Sequence, residues 1–417
     1  MDRSDPLEGL KIIDCDAHFT EPPELWTARA PASMRDRVPV HRTIDGTTAW
    51  YLDGEMWATT GGNTIRTGHE KVLGSHMVQP FDDIDTSAWD VKERLELCDE
   101  MGIHGQIIYP NGVGFASNHI FAIEDLEQRR AVLEIYNDFL VDVQQESSER
   151  LYPQAMLPVW DMEFTVAEMT RLLDRGITGF TLSDKPEMIG LPELWEPYFA
   201  PMWDMFDQSG AVANFHIAAG MSRAEIESIR RARFTDTTQP TGGAADLPRP
   251  IPPVAPPAWG EFDHQRRMAI SATQFYLSNV RIIANLCMSA MFDRYPNLKI
   301  VSAESGIGWV PFVLEALEFQ FDEMVSEDHE VRHASRRPSE YFHDHISVMF
   351  WFEKSGPAKL IEVVGVDNVL VETDVPHPTC LYPSTREHFA TVLADVGPHV
   401  RRRVLQDNAA ELYGIPL

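Results

Sequence analysis

Eight strand-like runs alternate with helical patterns along this chain of 417 residues. Alternation of that kind constrains the fold, because neighbouring parallel strands need long crossovers and helices supply them. The first run reads Lys11-Ile12-Ile13-Asp14-Cys15-Asp16-Ala17-His18-Phe19, and the fifth reads Ala211-Val212-Ala213-Asn214-Phe215-His216. The eighth reads Asn368-Val369-Leu370-Val371-Glu372-Thr373-Asp374. Each carries metal-seeking residues near its C-terminal end, where a parallel α/β barrel builds its active face.

The periodicity predicts strand one at about 11–18 and a helix from near Asp90, with Val91, Leu95, Leu97, Cys98 and Met101 on its apolar stripe. Strands two, three and four are expected near 103–109, 152–157 and 177–182. Strand five ends at His216, strands six and seven lie near 298–304 and 346–350, and strand eight ends at Asp374. Helices are expected near 122–147, 163–175, 196–209, 265–293, 310–325, 356–364, 384–395 and 400–413. Eight such units without an internal repeat favour a (β/α)8 TIM barrel over a doubly wound sheet, as a single domain over 1–417.

Two insertions interrupt the pattern. The first, about 20–86, follows strand one and reads as a flap. Within it, Thr48 to Thr59 forms two short strands around Asp53-Gly54, a tight-turn signal. The second, about 218–262, follows strand five and holds seven prolines between Pro240 and Pro257, which argues against regular structure. An extended arm of this kind covers either the active face or a subunit neighbour, and a homo-oligomer is expected.

Composition serves mainly to exclude. Against 35 Lys and Arg stand 64 Asp and Glu, a net charge of -29. That field repels phosphate backbones and anionic membranes, so the expected partner is a small molecule rather than nucleic acid or a bilayer. No apolar stretch approaches the ~20 residues needed to span a bilayer. Four scattered cysteines without a CxxC pair, and an N-terminus without an apolar leader, read as a cytoplasmic protein.

Side chains alternate faces along a strand. Asp14, Asp16 and His18 are therefore expected on one face, with Ile13, Cys15 and Ala17 packed against the outer helices. The same test pairs Asn214 with His216, Ser302 with Glu304, and Glu372 with Asp374. Singly, a strand-end histidine is a hydrogen-bonded core residue, and an Asp before a proline loop is a turn cap. Jointly, Asp16, His18, His216 and Asp374 offer two imidazoles and two carboxylates to one divalent ion. Zn²⁺ is the first expectation, with Mn, Co or Fe as alternatives.

The chain resembles the amidohydrolase superfamily, in the amidohydrolase-2 branch related to aminocarboxymuconate-semialdehyde decarboxylase. Ile13-Asp14-Cys15-Asp16-Ala17-His18, Asn214-Phe215-His216, Phe292 to Val301, Glu372-Thr373-Asp374-Val375-Pro376-His377 and Asp407 to Gly414 carry the resemblance over nearly the full length. It implies one metal held by strand one, the strand-five histidine and the strand-eight aspartate. Where many relatives have His-x-His on strand one, this chain has Asp16 and His18. Where relatives often place a histidine after strand six, it has Glu304.

The first expectation for function is a metal-dependent hydrolase acting on a small, cyclic or aromatic carboxylate-type substrate. Asp374 acts as general base on a metal-activated water, and Glu304 positions substrate or relays the proton. Absence of the strand-six histidine tips the balance towards hydrolysis. A non-oxidative decarboxylase using the same site is the alternative, and a ligand-binding barrel without turnover is the reading from another class. His377 is expected to contact substrate or shuttle protons. Arg66, on the flap, is the candidate clamp for a substrate carboxylate. Lys185 is read as a surface residue, Asp263 and His264 as helix-capping residues, and Cys380 as no nucleophile.

Overall fold

The computed structural model describes residues 5–44, 47–74, 80–116, 118–220, 264–325 and 334–417. Eight parallel strands follow chain order in one sheet. Strands one to four are Ile12–Phe19, Ile103–Pro110, Leu151–Met156 and Gly179–Thr181. Strands five to eight are Val212–His216, Lys299–Ala303, Ile346–Phe350 and Val369–Val371. Strand eight comes back to strand one: Asp374 N donates to Asp16 O at 2.8 Å, and His18 N donates to Val375 O at 2.6 Å. The sheet is thus a nearly closed (β/α)8 barrel with helices between its strands, as the alternation implies.

Local chemistry explains where elements begin. Helices Val91–Met101, Leu126–Glu146 and Met162–Leu173 each follow an aspartate whose carboxylate accepts the amide of Glu93, Gln128 or Phe164. Each such cap contributes about 1 kcal/mol. The single helix expected over 265–293 is instead three, His264–Phe275, Val280–Met288 and Met291–Arg294. Asn279 marks the first break. Its Nδ2 donates to Phe215 O at 2.7 Å and to Ser302 Oγ at 3.0 Å, tying the turn to the ends of strands five and six. A further helix, Pro338–His345, precedes strand seven where none was expected.

The flap after strand one is a three-stranded antiparallel sheet, Val40–Ile44, Thr47–Leu52 and Glu55–Thr59. Its Asp53-Gly54 turn has positive φ at both residues, 51° and 85°, which suits those two residue types. A two-residue ladder, Ile65–Arg66 with Glu70–Lys71, follows. The Pro-rich insertion expected over about 218–262 lies outside the described residues from 221 onward, as does Asp263.

The barrel interior is layered. Ile13, Cys15, Ile107, Tyr109, Tyr152, Val212, Val301, Met349 and Leu370 form one buried cluster with Ala409 and Tyr413 of the C-terminal helix Asn408–Tyr413. Tyr413 closes the base, its hydroxyl donating to Asn214 Oδ1 at 2.6 Å. Strand four leaves space with a glycine: a Cβ on Gly179 would stand 1.9 Å from Gln154 Oε1.

This layering corrects two expectations on strand one. Cys15 belongs to the interior cluster, not the helix side. Asp14 turns the other way, accepting from Thr373 N at 2.7 Å, Thr373 Oγ1 at 2.6 Å and Gln106 Nε2 at 2.7 Å. The cause is a register shift against strand two between Asp14 and Ala17, which breaks the simple alternation. Asp14 therefore seals the seam between the first and last strands and stands apart from Asp16.

Candidate active site

Beyond the shift, strand one turns Asp16 and His18 into the mouth of the barrel, and strand five ends on His216. His18 Nδ1 donates to Pro110 O at 2.9 Å, and His216 Nδ1 donates to Ile217 O at 2.7 Å. Each ring thus spends one nitrogen on a carbonyl and turns Nε2 inward, the usual arrangement behind a metal-binding imidazole. Asp16 Oδ1 is 3.5 Å from His18 Nε2, and Asp16 Oδ2 is 3.3 Å from His216 Nε2. All four of these atoms are buried and without a hydrogen-bond partner. Buried polar atoms left in that state are costly unless a ligand satisfies them. Converging carboxylate oxygens and imidazole nitrogens fit a divalent cation.

Two further carboxylates border the space. Glu304, left-handed at φ 53° just past strand six, brings Oε2 to 3.4 Å from His216 Nε2. Asp374, left-handed at φ 60° after strand eight, brings Oδ1 to 3.5 Å from His18 Nε2. The compact ligand group is therefore Asp16, His18, His216 and Glu304, while Asp374 groups with His18, Glu304 and His377. Glu304 thus joins the group beside Asp16 and His216, while Asp374 Oδ1 stands as close to His18 Nε2 as Asp16 Oδ1 does, 3.5 Å.

Asp374 is held from both sides. His377 Nδ1 donates to its Oδ1 at 2.7 Å, and Thr379 Oγ1 donates to its Oδ2 at 2.5 Å. His377 stacks on His18 with ring centroids 3.8 Å apart, and its Nε2 lies 3.3 Å from Asn111 Oδ1. Phe115 covers His216 with centroids 4.1 Å apart. Tyr276 reaches Thr379 and is T-shaped against Trp351.

Burial dominates the electrostatics. It lowers His18 to about 4, so that ring is neutral and its Nε2 lone pair is free to bind. Burial, the largest single effect, would lower His216 too, but Asp16, the Ile217 carbonyl and Asp374 together outweigh it and raise the ring. Glu304 is pushed well above the ordinary carboxylate range by burial, then by Asp374 and Asp16; Glu372 is raised by burial, then by Asp16 and Glu304. Burial also acts to raise Asp374, yet His377 and His18 overcome it and hold the carboxyl far below that range. So many carboxylates in one dry space call for a counter-cation.

Sequence-predicted residues divide accordingly. Asp16, His18, His216, Glu304, Asp374 and His377 meet. Ser302 does not share Glu304's direction: its hydroxyl faces Asn279 and Ser305, and Glu304 turns inward only because the strand has ended. Arg66 lies on the flap ladder, where Asp83 is the charged group acting on it and its Nη1 is buried without a hydrogen-bond partner. Lys185 lies beside Asp184, 4.0 Å away. Burial pushes the Cys380 thiol up to about 11, consistent with no nucleophilic role. Asn111, Phe115, Thr379 and Tyr276 were not anticipated. Asn111 directly follows strand two, so the strand-end logic applied to every strand would have found it.

Solved structures place this architecture among known enzymes. An amidohydrolase from Mycobacterium avium subsp. paratuberculosis is 19% identical, with a TM-score of 0.66 over 98% of this chain and 99% of that one. A 5-carboxyvanillate decarboxylase from Novosphingobium aromaticivorans, with bound manganese and 3-methoxy-4-hydroxy-5-nitrobenzoic acid, is 14% identical. It has a TM-score of 0.61 and 97% of each chain is covered. A 2,6-dihydroxybenzoate decarboxylase from Rhizobium is 16% identical, with a TM-score of 0.55 over 97% of this chain and 99% of that one. No curated protein matches the sequence. A family model described as amidohydrolase matches residues 13–415, and with its barrel and inward-facing histidines and carboxylates the chain belongs to that family.

Proposed function

We propose that this protein is a metal-dependent, non-oxidative decarboxylase of small aromatic carboxylates that carry a neighbouring oxygen. One observation carries the reading: buried, unpartnered Asp16, His18 and His216 atoms converge beside a carboxyl–imidazole pair, Asp374 and His377. The manganese-bound and hydroxybenzoate-type relatives of the same fold support it. The hydrolytic expectation rested on the missing strand-six histidine. Glu304 joins the ligand group at that place, so the absence no longer favours hydrolysis.

Asp16, His18, His216 and Glu304 would hold the ion, with Asp374 beside them 3.5 Å from His18 Nε2. With two imidazoles and two carboxylates, Mn²⁺ suits the set as well as Zn²⁺ does. A divalent ion there supplies a Lewis acid for the substrate carboxylate and its neighbouring oxygen. Asp374 borders the same space and, ionised at rest, relays to the ring carbon a proton that it takes from His377. As the bond to the carboxyl carbon breaks, its electron pair stays on the ring carbon, the new C–H bond takes it up, and CO₂ leaves. His377, hydrogen-bonded to Asp374 Oδ1, replaces the proton. Phe115, against His216, and Tyr276, beside Thr379, are aromatic rings bordering this space and suit an aromatic substrate.

The test uses the manganese-loaded protein with carboxyl-labelled 2,6-dihydroxybenzoate, 5-carboxyvanillate and related hydroxybenzoates. Release of labelled CO₂ is the expected result. Hydrolysis of esters or lactones by the same preparation, with no CO₂ from any carboxylate, would overturn the reading.

A further inference from the structure

The segment Thr59-Thr60-Gly61-Gly62-Asn63 leaves the flap sheet and passes over the end of strand two, where Asn111 waits. Gly62 N donates to Asn111 Oδ1 at 3.0 Å, and Asn111 Nδ2 donates back to Gly62 O at 3.2 Å. The two bonds form a closed pair between the side-chain amide and the N–H and C=O of one residue, Gly62. They fix which way the Asn111 amide points, because only Oδ1 can accept from Gly62 and only Nδ2 can donate to it. Thr20 Oγ1 secures the same orientation by accepting from Nδ2 at 2.8 Å.

Close approach depends on glycine. A Cβ on Gly61, whose φ is +75°, would stand 2.0 Å from Asn111 Oδ1. Asn111 itself is 6% exposed. The oxygen fixed by the flap is also the one 3.3 Å from His377 Nε2, so that nitrogen meets an acceptor. Across the ring, Nδ1 meets Asp374 Oδ1 at 2.7 Å. The imidazole is therefore strung between the flap and the proposed proton donor. Thr64 N, further along the same segment, donates to Pro376 O at 2.8 Å beside His377.

We infer that Asn111 is a positioning residue that couples docking of the flap to the orientation of His377, and hence of Asp374. With Gly62 docked, the amide is locked and the imidazole is held on line with the carboxyl. With Gly62 withdrawn, the amide keeps only Thr20 on its Nδ2, Oδ1 loses the donor that fixes it, and the ring's second anchor loosens. Arrival of the flap thus completes the acid. The inference rests on His377 and Asp374 acting as proposed above.

Three variants of the metal-loaded, full-length chain test it with 2,6-dihydroxybenzoate and 5-carboxyvanillate: Asn111→Ala, Gly61→Ala and the double. Misplacing a reacting group by about 1 Å costs up to ~100-fold in rate. Each single variant is therefore expected to lower kcat about tenfold or more, with KM changed less and metal content unchanged. The double variant should be no worse than the poorer single, since both cut one connection. Additive losses, or losses confined to KM, would overturn the inference. A readout independent of turnover is the imidazole ¹⁵N spectrum of the zinc-loaded protein, with His377 assigned by difference from His377→Gln. Gly61→Ala alters no histidine, yet should shift the His377 Nε2 signal; an unmoved signal would overturn the coupling. If His377→Gln leaves kcat intact, the proposed function's use of His377 falls instead, which separates the two failures.

Discussion

At the scale of single residues, the economy of the two strand-end imidazoles explains the site. His18 and His216 each commit Nδ1 to a backbone carbonyl, which fixes the tautomer and leaves Nε2 to face Asp16. His216→Ala removes one of these nitrogens. Metal per chain, measured by mass spectrometry after dialysis, should fall by about tenfold or more, with the far-ultraviolet circular dichroism unchanged. Asp16, His18, His216 and Asp374 were legible in the sequence because each stands where a predicted strand ends. Asp14 was expected on the same strand face as Asp16 and His18, and it is not. Period-two counting carries no sign of the register shift that turns it towards Gln106 and Thr373. The inward turn of Glu304 was reached for the wrong reason: a left-handed residue beyond the strand, rather than strand alternation, directs it.

At the scale of elements, strand four shows how a short segment can carry a large constraint. Its three residues, Gly179–Thr181, pair with both neighbours while Gln154 occupies the space beside Gly179. Gly179→Ala forces a methyl group into that space. Overpacking of this kind costs about 1–3 kcal/mol, so the midpoint of chemical denaturation should fall by a corresponding amount. Strand and helix order was legible from periodicity, and Asp90 was found as a helix start because its cap has a local signature. The break at Asn279 was not legible. Nothing in its neighbours announces that its amide will bond to carbonyls more than 20 residues ahead and more than 60 behind in sequence. The flap hairpin was found through Asp53-Gly54, whereas its outer strand, Val40–Ile44, lacks an equally tight signal.

At the scale of the whole molecule, the net charge of -29 and the buried carboxylates act together. Without the proposed ion, the carboxyl groups of Asp16, Glu304, Glu372 and Asp374 act on one another at close quarters, all within a chain already rich in negative charge. Anything bound only by the folded state stabilises that state. Treatment with a chelator followed by its removal should therefore lower the thermal unfolding midpoint by several degrees, and Mn²⁺ should restore it; an unchanged midpoint in calorimetry would count against the ion. Among the described residues no helix is long and apolar enough to cross a membrane. The seam where strand eight meets strand one has its own consequence. Asp374 lies more than 350 residues beyond Asp16 and His18 in sequence, yet Asp374 N rests on Asp16 O. The two halves of the proposed site therefore meet only once the last strand pairs with the first, and loosening that closure would part Asp374 from His18 with neither residue altered.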